Sequence, residues 1–438
     1  MGSPVRLVIG LDGGGTSTRC VVATPDGEIV GRGQAGGSNP RSARDPGAAL
    51  LQALTDALTS AGAGTGAGPV GTPGPGGMSG PVGAPGPGGA SGPGGTSGSV
   101  GASGPGGASG SGDTSGSVGT SGSVSASGLG GMSGSGGMSG SVGASGSVGA
   151  SGSVGTSGPV GVSGPSGASG PVGVFGLAGA SEAGRRLARE LSLRAWRAAG
   201  LPGAPVVVPD ILVAFTGATP EPSGSVLVAG TGAVAARIDR REIVKRADGY
   251  GWLLGDEGSG VWVGRQAVRA VLAALDGRGP STSLAAHVLP VLLAATMGSP
   301  EVTSPGPALD DEAHAQALIA AVYDGEPARL GLLSPVVETA AREGDRVSLT
   351  ILEDAARRLI RTLDAVSPNP AHPVVLAGSL LTHPTLIAAH VRDSLPTHRL
   401  LPTRDPAAGA AALALRSPSL PPRPEAQLVA AHHRLLAL

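Results

Sequence analysis

The sequence has very little cysteine and few aromatic residues. Its 438 residues include one cysteine, Cys20, with two Phe, two Tyr and three Trp. A single thiol excludes an internal disulfide, a Cys-rich zinc site and an iron–sulfur cluster held by the chain's own cysteines. Because aromatic rings are so scarce, the hydrophobic cores have to be built from aliphatic side chains.

The sequence also lacks an excess of one charge and any long apolar run. Its formal net charge is -1, which gives no electrostatic reason to expect nucleic acid as a partner. No segment approaches the ~18 consecutive apolar residues of a membrane span, so no membrane partner is expected. The first apolar run is short and ends at Asp12, unlike a secretion signal, and we therefore expect a cytoplasmic protein.

Glycine is abundant, and much of it lies in one segment. Every third residue from Gly68 to Gly176 is glycine, apart from Asp113 and Ser125. This Gly-X-Y pattern is typical of collagen. However, a triple helix would hold the two ends of the segment roughly 300 Å apart, which would separate the parts of a domain that it interrupts. We therefore predict a dispensable, disordered insertion over residues 62–171, with back-folded polyproline-II strands or a trimeric triple helix as alternatives.

The rest of the chain alternates between strand and helix patterns. Three strands up to Gln34 precede a helix over 45–60, and alternation resumes at Val172. Longer helices are predicted over 261–275, 281–297, 310–323 and 347–366. This pattern predicts an α/β protein with enough chain for two domains.

A glycine turn follows the first predicted strand, in the run Asp12-Gly13-Gly14-Gly15-Thr16. Glycines let backbone amides approach an anion closely, and Thr16 can donate to a phosphate oxygen. Asp12 at the strand end suits a hard cation such as Mg²⁺. The alternative is a glycine-rich hairpin without a ligand.

A second glycine turn, Gly230-Thr231-Gly232, follows another apolar strand. Together with Ala235 it fits the dinucleotide-binding pattern, but that pattern requires a helix next. The residues that follow alternate as a strand and reach a hairpin turn at Asp239. We therefore interpret this segment as a second phosphate-binding turn.

Several polar residues lie beside predicted strands and could act on a substrate. Asp210 follows a strand, where it could accept a proton from a hydroxyl or simply cap a helix. Asp256 could bind sugar hydroxyls or could favour the start of a helix. Weaker candidates are Ser38 and Asn39, for a sugar, and Gly378, for a nucleotide base.

The order of these motifs resembles that of the actin, hexokinase and Hsp70 superfamily, and in particular the N-acetylglucosamine kinase and BadF/BadG/BcrA/BcrD ATPase family. The motifs that carry the resemblance are Leu11–Thr16, Gly37–Asn39, Gly176–Gly179, Gly230–Gly232 and Gly251–Ser259. The resemblance covers 5–60 and 172–415. It implies two RNase-H-like domains of the actin-like ATPase type with a central cleft. One domain would consist of 1–61 and 172–223, the other of 224–438, with the last helix returning to the first.

The resemblance also implies a role for each motif residue. The cofactors would be ATP and Mg²⁺, with Asp12 at the metal and Asp210 as the catalytic base that also contacts the sugar. The residues implied at the nucleotide are Gly13, Gly14, Gly15, Thr16, Thr231, Gly232 and Gly378. The residues implied at the sugar, beside Asp210, are Ser38, Asn39 and Asp256. One departure is Ala233, where many relatives have Ser and so a further phosphate contact.

The implied activity is transfer of phosphate from ATP to the 6-hydroxyl of an amino sugar, with N-acetylglucosamine expected and glucosamine or another hexose as alternatives. A homodimer is also compatible with the resemblance. An ATPase activator of the BadF type would need cysteines for an iron–sulfur cluster, and Cys20 stands alone. Two further alternatives, a repressor of the sugar-kinase type and a collagen-like surface protein, lack a DNA-binding helix pair and a secretion signal, respectively.

Overall fold

The computed structural model describes residues 6–40, 43, 45–62, 170–180, 184–297 and 310–437, and two short strands at 108–109 and 126–127. Residues 1–70 and 163–438 form one compact unit and 71–162 a second. Apart from residues 62, 108–109, 126–127 and 170–171, the predicted insertion over 62–171 lies outside the described residues, and so does its predicted disorder.

The strands of the first unit include three before the insertion and seven after it. They are β1 (Val8–Gly13), β2 (Ser17–Ala23), β3 (Ile29–Gly36), β6 (Val172–Leu177), β7 (Val206–Pro209), β8 (Gly224–Ala229), β9 (Ala233–Asp239), β10 (Glu242–Asp248), β11 (Val374–Ala377) and β12 (Leu400–Pro402). In the second unit, β4 (Ala108–Ser109) and β5 (Ala126–Ser127) pair in parallel.

The helices alternate with these strands, as expected for an α/β protein. They are α1 (Pro46–Ser60), α2 (Arg185–Ala198), α3 (Asp210–Thr216), α4 (Gly260–Leu275), α5 (Val288–Met297), α6 (Asp311–Tyr323), α7 (Ser334–Arg342), α8 (Arg346–Ala365), α9 (Ser379–Thr382), α10 (Leu386–Asp393), α11 (Pro406–Ala414) and α12 (Glu425–Leu436). Short 3₁₀ helices occur at Ser283–Ala286 and Pro327–Leu333.

The unit is built from two five-stranded sheets with the same topology. Their strand orders are β3-β2-β1-β6-β7 and β10-β9-β8-β11-β12. In each sheet the first three strands are antiparallel and the remaining pairs are parallel. The α/β class and the presence of two such sheets, which we call the first and second lobes, confirm the prediction from the sequence.

Both faces of the first sheet are buried by helices. In β1, Ile9 and Leu11 pack into a core with α1 and α2, whereas Val8 packs into a separate core with α11 and α12. Each of these three side chains is fully buried. This arrangement follows from the period of two in a strand, which sends neighbouring side chains to opposite faces.

Helix α3 joins the two lobes. Ile211 and Phe215 pack with Val226 and Val375 of the second sheet. On its other side, Val213 packs with α11, which lies on the first sheet. Because α3 begins at Asp210, the position of that carboxylate depends on both lobes.

The sequence patterns did not predict all the helices, and one predicted helix has a different form in the structure. The helix predicted over 281–297 is a 3₁₀ turn followed by α5, because Thr282 caps the turn with its own hydroxyl. Helices α7 and α12 were not predicted. Among the described residues, none of the helices is long and apolar enough to cross a bilayer.

Replacing Gly10 by Ala is expected to destabilise the first lobe. An added Cβ would lie 2.1 Å from the carbonyl oxygen of Ala407 and 2.2 Å from the amide nitrogen of Ala411, so α11 would have to move away from β1. Such overpacking lowers the free energy of unfolding by about 2–3 kcal/mol, measurable by urea denaturation.

Gly36→Ala is the matched control, because an added Cβ there meets nothing within 4 Å. It is expected to change the free energy of unfolding by less than about 0.5 kcal/mol. Equal effects of the two substitutions would contradict the close packing of α11 on β1.

Candidate active site

The first glycine turn is tight and opens into a cleft between the lobes. Gly14 N donates to Ser17 O at 2.9 Å, which closes the turn between β1 and β2. The carbonyl of Gly14 accepts from Ser38 N at 3.0 Å and Asn39 N at 3.1 Å. These bonds hold the loop after β3 against the turn, so Asn39 lines the same cleft as Gly14, Gly15 and Thr16.

Two predicted site residues, Gly13 and Ser38, do not line this cleft. Ser38 is buried, and a Cβ at Gly13 would lie 2.4 Å from its hydroxyl oxygen. Gly13 therefore provides room for Ser38 beneath the turn. Both residues thus lie beneath the turn, and their contacts with a nucleotide and a sugar stay predictions from the sequence.

Asp210 is the first residue of α3 and lines the cleft. Its Oδ1 accepts a hydrogen bond from Ile211 N at 2.9 Å, while Pro209 occupies the N-cap position. Burial raises the pKa of Asp210, and the hydrogen bond from Ile211 and the charge of Arg246 act against this rise. The carboxylate thus binds a helix amide and also faces the cleft.

Asp12 and Asp210 both line the cleft, and their charges repel each other. Burial and the charge of Asp210 raise the pKa of Asp12 to about 7, with Arg19 opposing the shift and Asp405 adding to it. A like charge nearby makes ionisation of a carboxylic acid less favourable. A cation bound between the two carboxylates would remove this repulsion.

This pair of carboxylates fits Mg²⁺ bound together with a substrate phosphate. Among the described residues, no group of three or more acidic, His or Cys side chains gathers around one point. Mg²⁺ is commonly held by one or two carboxylates plus phosphate oxygens and water, and does not need an all-protein cage. Asp12, at the end of β1, can supply such a ligand.

The second glycine turn faces the cleft from the other lobe. Gly230 N donates to Gly232 O at 2.9 Å, and Gly260 N, at the start of α4, donates to Gly230 O at 2.8 Å. After Gly232 the chain continues as strand β9, which excludes the dinucleotide-binding pattern. The loop is therefore a strand-to-strand turn fixed by the first turn of a helix.

Asp256 lies directly against this second turn. Its Oδ1 accepts from Ala233 N at 3.3 Å, and its backbone has a φ of 55°. Burial raises the pKa of Asp256, and the Ala233 amide opposes the shift. Helix α4 is capped by Ser259, with no acid in its first turn, so helix stabilisation does not explain this carboxylate.

Two supporting residues, Asp248 and Arg358, were not identified from the sequence. Asp248 accepts from Gly249 N at 2.7 Å, from Asp256 N at 2.8 Å and from Glu257 N at 2.8 Å, and so closes the loop that carries Asp256. Arg358 forms an ion pair with Glu257 and stacks 4.8 Å from the ring centroid of Trp262. Asp248 has a φ of 62°, which the sequence does not reveal.

Gly378 completes the cleft. It follows β11 with a φ of 84°, and an added Cβ would lie 2.3 Å from Ala229 O, so only glycine fits. The cleft has a volume of about 940 Å³. The predicted site residues that line it are Asp12, Gly14, Gly15, Thr16, Asn39, Asp210, Thr231, Gly232, Asp256 and Gly378.

Two sheets of one topology, with a glycine turn from each opening into a shared cleft, define a two-lobed α/β fold of the actin-like ATPase type. The sequence matches the model of the BadF/BadG/BcrA/BcrD ATPase family over residues 9–414. The chain belongs to this family.

Curated relatives are similar over part of their length. An N-acetyl-D-glucosamine kinase of Dictyostelium discoideum is 30% identical over 223 residues, which is 48% of this chain and 64% of that protein. An N-acetylmuramic acid/N-acetylglucosamine kinase of Clostridium acetobutylicum is 30% identical over 172 residues, or 39% of this chain and 50% of that protein. The chain thus spans about half to two thirds of each relative.

Solved structures show the same fold. A Chromobacterium violaceum protein, provisionally assigned as an N-acetylglucosamine kinase, is 20% identical, with a TM-score of 0.52 over 94% of this chain and 99% of that one. A protein from Porphyromonas gingivalis with the same provisional assignment is 17% identical, with a TM-score of 0.50 over 94% and 99%. At these identities the likeness concerns the fold alone.

The raised pKa of Asp12 predicts a pH-dependent stability in the absence of ligands. Because its pKa is about 7 in the folded chain and 3.8 ordinarily, the folded state binds the proton more tightly. The Asp12 charge therefore costs stability above pH 7, and this cost disappears as the pH falls toward 4. Asp12→Asn is expected to raise the free energy of unfolding by about 1–2 kcal/mol at pH 8 and to have little effect at pH 5, since solvent screening reduces the full shift.

Urea denaturation in a chelator, without nucleotide, measures this difference at both pH values. An Asp12→Asn effect that is the same at pH 8 and pH 5 would contradict the burial of the Asp12 carboxylate, which is the largest cause of its raised pKa.

Proposed function

We propose that this chain is an ATP-dependent kinase that phosphorylates the 6-hydroxyl of an amino sugar, with N-acetylglucosamine as the expected substrate. The main support is the position of Asp210 in the cleft onto which both glycine turns open. The two curated relatives, both N-acetylglucosamine kinases by name, favour the same chemistry.

The roles follow from what each group can donate or accept. The amides of Gly14 to Thr16 would bind the phosphates from the first lobe, and those of Thr231 and Gly232 from the second. Because Gly14 and Gly15 carry no side chain, phosphate oxygens can approach their amides closely. Gly378 would leave a flat backbone surface for the adenine base.

Asp210 would orient the sugar hydroxyl and accept its proton as the oxygen attacks the γ-phosphorus. Asn39 and Asp256, from opposite sides of the cleft, would bind other sugar hydroxyls. Asp12 would hold Mg²⁺, which neutralises phosphate charge when bound. Closure of the lobes would exclude water, which otherwise competes with the sugar as acceptor.

The second glycine turn is supported although residue 233 is Ala and not Ser. The amide of Ala233 donates to Asp256, and its methyl group is buried. The hydroxyl that a Ser would bring is therefore replaced by packing, and phosphate binding would rest on the backbone of Thr231 and Gly232.

The same proposal divides the chain into a first lobe of 1–61 and 172–223 and a second lobe of 224–438, with α11 and α12 packed back on the first.

An ATPase activator with a cysteine-held cluster is disfavoured, because Cys20 is buried in β2 and burial strongly raises the pKa of its thiol. The cytoplasmic location and the homodimer stay predictions from the sequence.

Replacing Asp210 by Asn is expected to lower kcat with N-acetylglucosamine about 10²–10⁴-fold, because the proton acceptor is lost. ATP affinity, measured by calorimetry, should change less than about threefold, since the phosphates bind the glycine turns. A coupled assay of ADP release measures kcat, and a panel with glucosamine, glucose and N-acetylmuramic acid identifies the sugar.

Asp364→Asn is the control, because Asp364 is exposed on α8 and does not line the cleft. It should retain the activity of the unmodified chain. An Asp210→Asn variant with more than a tenth of that activity would overturn the assignment of Asp210 as the base.

A further inference from the structure

The cleft is lined by four carboxylates, those of Asp12, Asp210, Asp256 and Glu326, and by few cations. Among the described residues that line it, the side chains with a permanent positive charge are Arg19, Arg246 and Arg404, and none is a lysine. Transfer of a phosphoryl group depends largely on groups that stabilise the charge of its oxygens in the transition state. The proposed reaction therefore raises the question of which arginine meets that charge.

Arg19 and Arg404 act elsewhere. The charge of Arg19 acts on Asp12, on the side of the first glycine turn. Arg404 lies where the chain passes between the lobes: its backbone N donates to Gly217 O at 3.0 Å, and its guanidinium to Leu436 O at 3.4 Å. The Arg404 guanidinium is thus directed to the end of α12, and the charge of Arg19 acts on the carboxylate proposed to hold the metal.

Arg246 is fixed at the cleft by one hydrogen bond. It lies on β10 with an exposed side chain, and its Nη2 donates to Gly249 O at 2.8 Å. Among the described residues, no carboxylate forms an ion pair with it within 4.0 Å. The guanidinium is therefore held in place while most of its donors are available to a ligand.

The charge of Arg246 acts on two carboxylates from different parts of the cleft. It lowers the pKa of Asp210, the proposed base, and that of Asp256, whose oxygen holds the Ala233 amide of the second turn. Arg246, both carboxylates and the second glycine turn also line the same cleft, so the guanidinium shares this space with the groups proposed to bind the phosphates and the sugar.

We infer that Arg246 is a catalytic residue that donates hydrogen bonds to the phosphoryl group while it passes from ATP to the sugar. In this step a bond forms between the sugar oxygen and the γ-phosphorus, and the bond from that phosphorus to the β–γ bridging oxygen breaks. The hydroxyl proton goes to Asp210 and ADP leaves. Arg246 keeps its proton throughout and offsets the charge on the transferred oxygens. This inference rests on the proposed kinase function.

The test compares Arg246→Ala and Arg246→Lys with Lys245→Met in the full chain. Lys245 is the neighbouring residue of β10, is exposed and does not line the cleft, so its loss changes the net charge equally. Arg246→Ala is expected to lower kcat with N-acetylglucosamine about 10²–10³-fold, with the KM for the sugar and the affinity for ADP within about threefold.

Two further measurements distinguish a catalytic role of Arg246 from displacement of the loop that it bonds at Gly249. Added guanidinium ion should restore part of the kcat of Arg246→Ala, and Arg246→Lys should retain more activity than Arg246→Ala. A displaced loop would not respond to guanidinium. Lys245→Met should keep kcat within about threefold of the unmodified chain.

The outcomes are distinguishable. If the unmodified chain releases no ADP with any sugar of the panel, the proposed function fails. If the unmodified chain is active, four results for Arg246→Ala would overturn the role of Arg246. They are an unchanged kcat, a change in KM only, no gain in kcat from guanidinium, and a loss of kcat no larger than that of Lys245→Met.

Discussion

The two segments that join the lobes touch backbone to backbone at Gly217. One segment leaves the end of α3, and the other runs from β12 into α11. The amides of Arg404 and Asp405 donate to Gly217 O at 3.0 and 3.4 Å, and a Cβ at Gly217 would lie 2.7 Å from Asp405 O. Any larger side chain at Gly217 would push the two connections apart.

The crossing also fixes the helix that begins with Asp210. The hydroxyl of Thr216 donates to Gly409 O at 3.0 Å, and that of Thr403 to Ala214 O at 2.8 Å. Both bonds tie the end of α3 to the second connection, while the apolar face of α3 packs on the second sheet. Helix α3, and with it Asp210, is therefore held against both lobes.

Without a bound ligand, the charged carboxylates in the cleft lower the stability of the folded chain. Asp12, Asp210 and Asp256 each have a raised pKa, with burial as the largest cause. A buried carboxylate without a partner lowers the free energy of unfolding. Clusters of titratable groups with shifted pKa values in a cleft are typical of functional sites. Within the proposed function, Mg²⁺, the phosphates and the sugar hydroxyls would be the partners of these carboxylates.

The sequence predicted the parts of the site that local chemistry determines. Strands ending in glycine turns at Asp12 and Gly230 were recognised because glycine and strand periodicity act over a few residues. The support of Asp256 by Asp248, and the ion pair of Glu257 with Arg358, could not be predicted, because they depend on a left-handed backbone and on a helix about a hundred residues away. The same holds for Ser38, whose burial beneath Gly13 becomes visible only when β1 and the loop after β3 meet.

A crystal structure with a non-hydrolysable ATP analogue, Mg²⁺ and N-acetylglucosamine tests the central claim most directly. The account predicts phosphate oxygens within hydrogen-bond distance of amides from both glycine turns, and the sugar 6-hydroxyl within about 3 Å of a carboxylate oxygen of Asp210. A nucleotide bound to one turn only, or a sugar hydroxyl remote from Asp210, would contradict it.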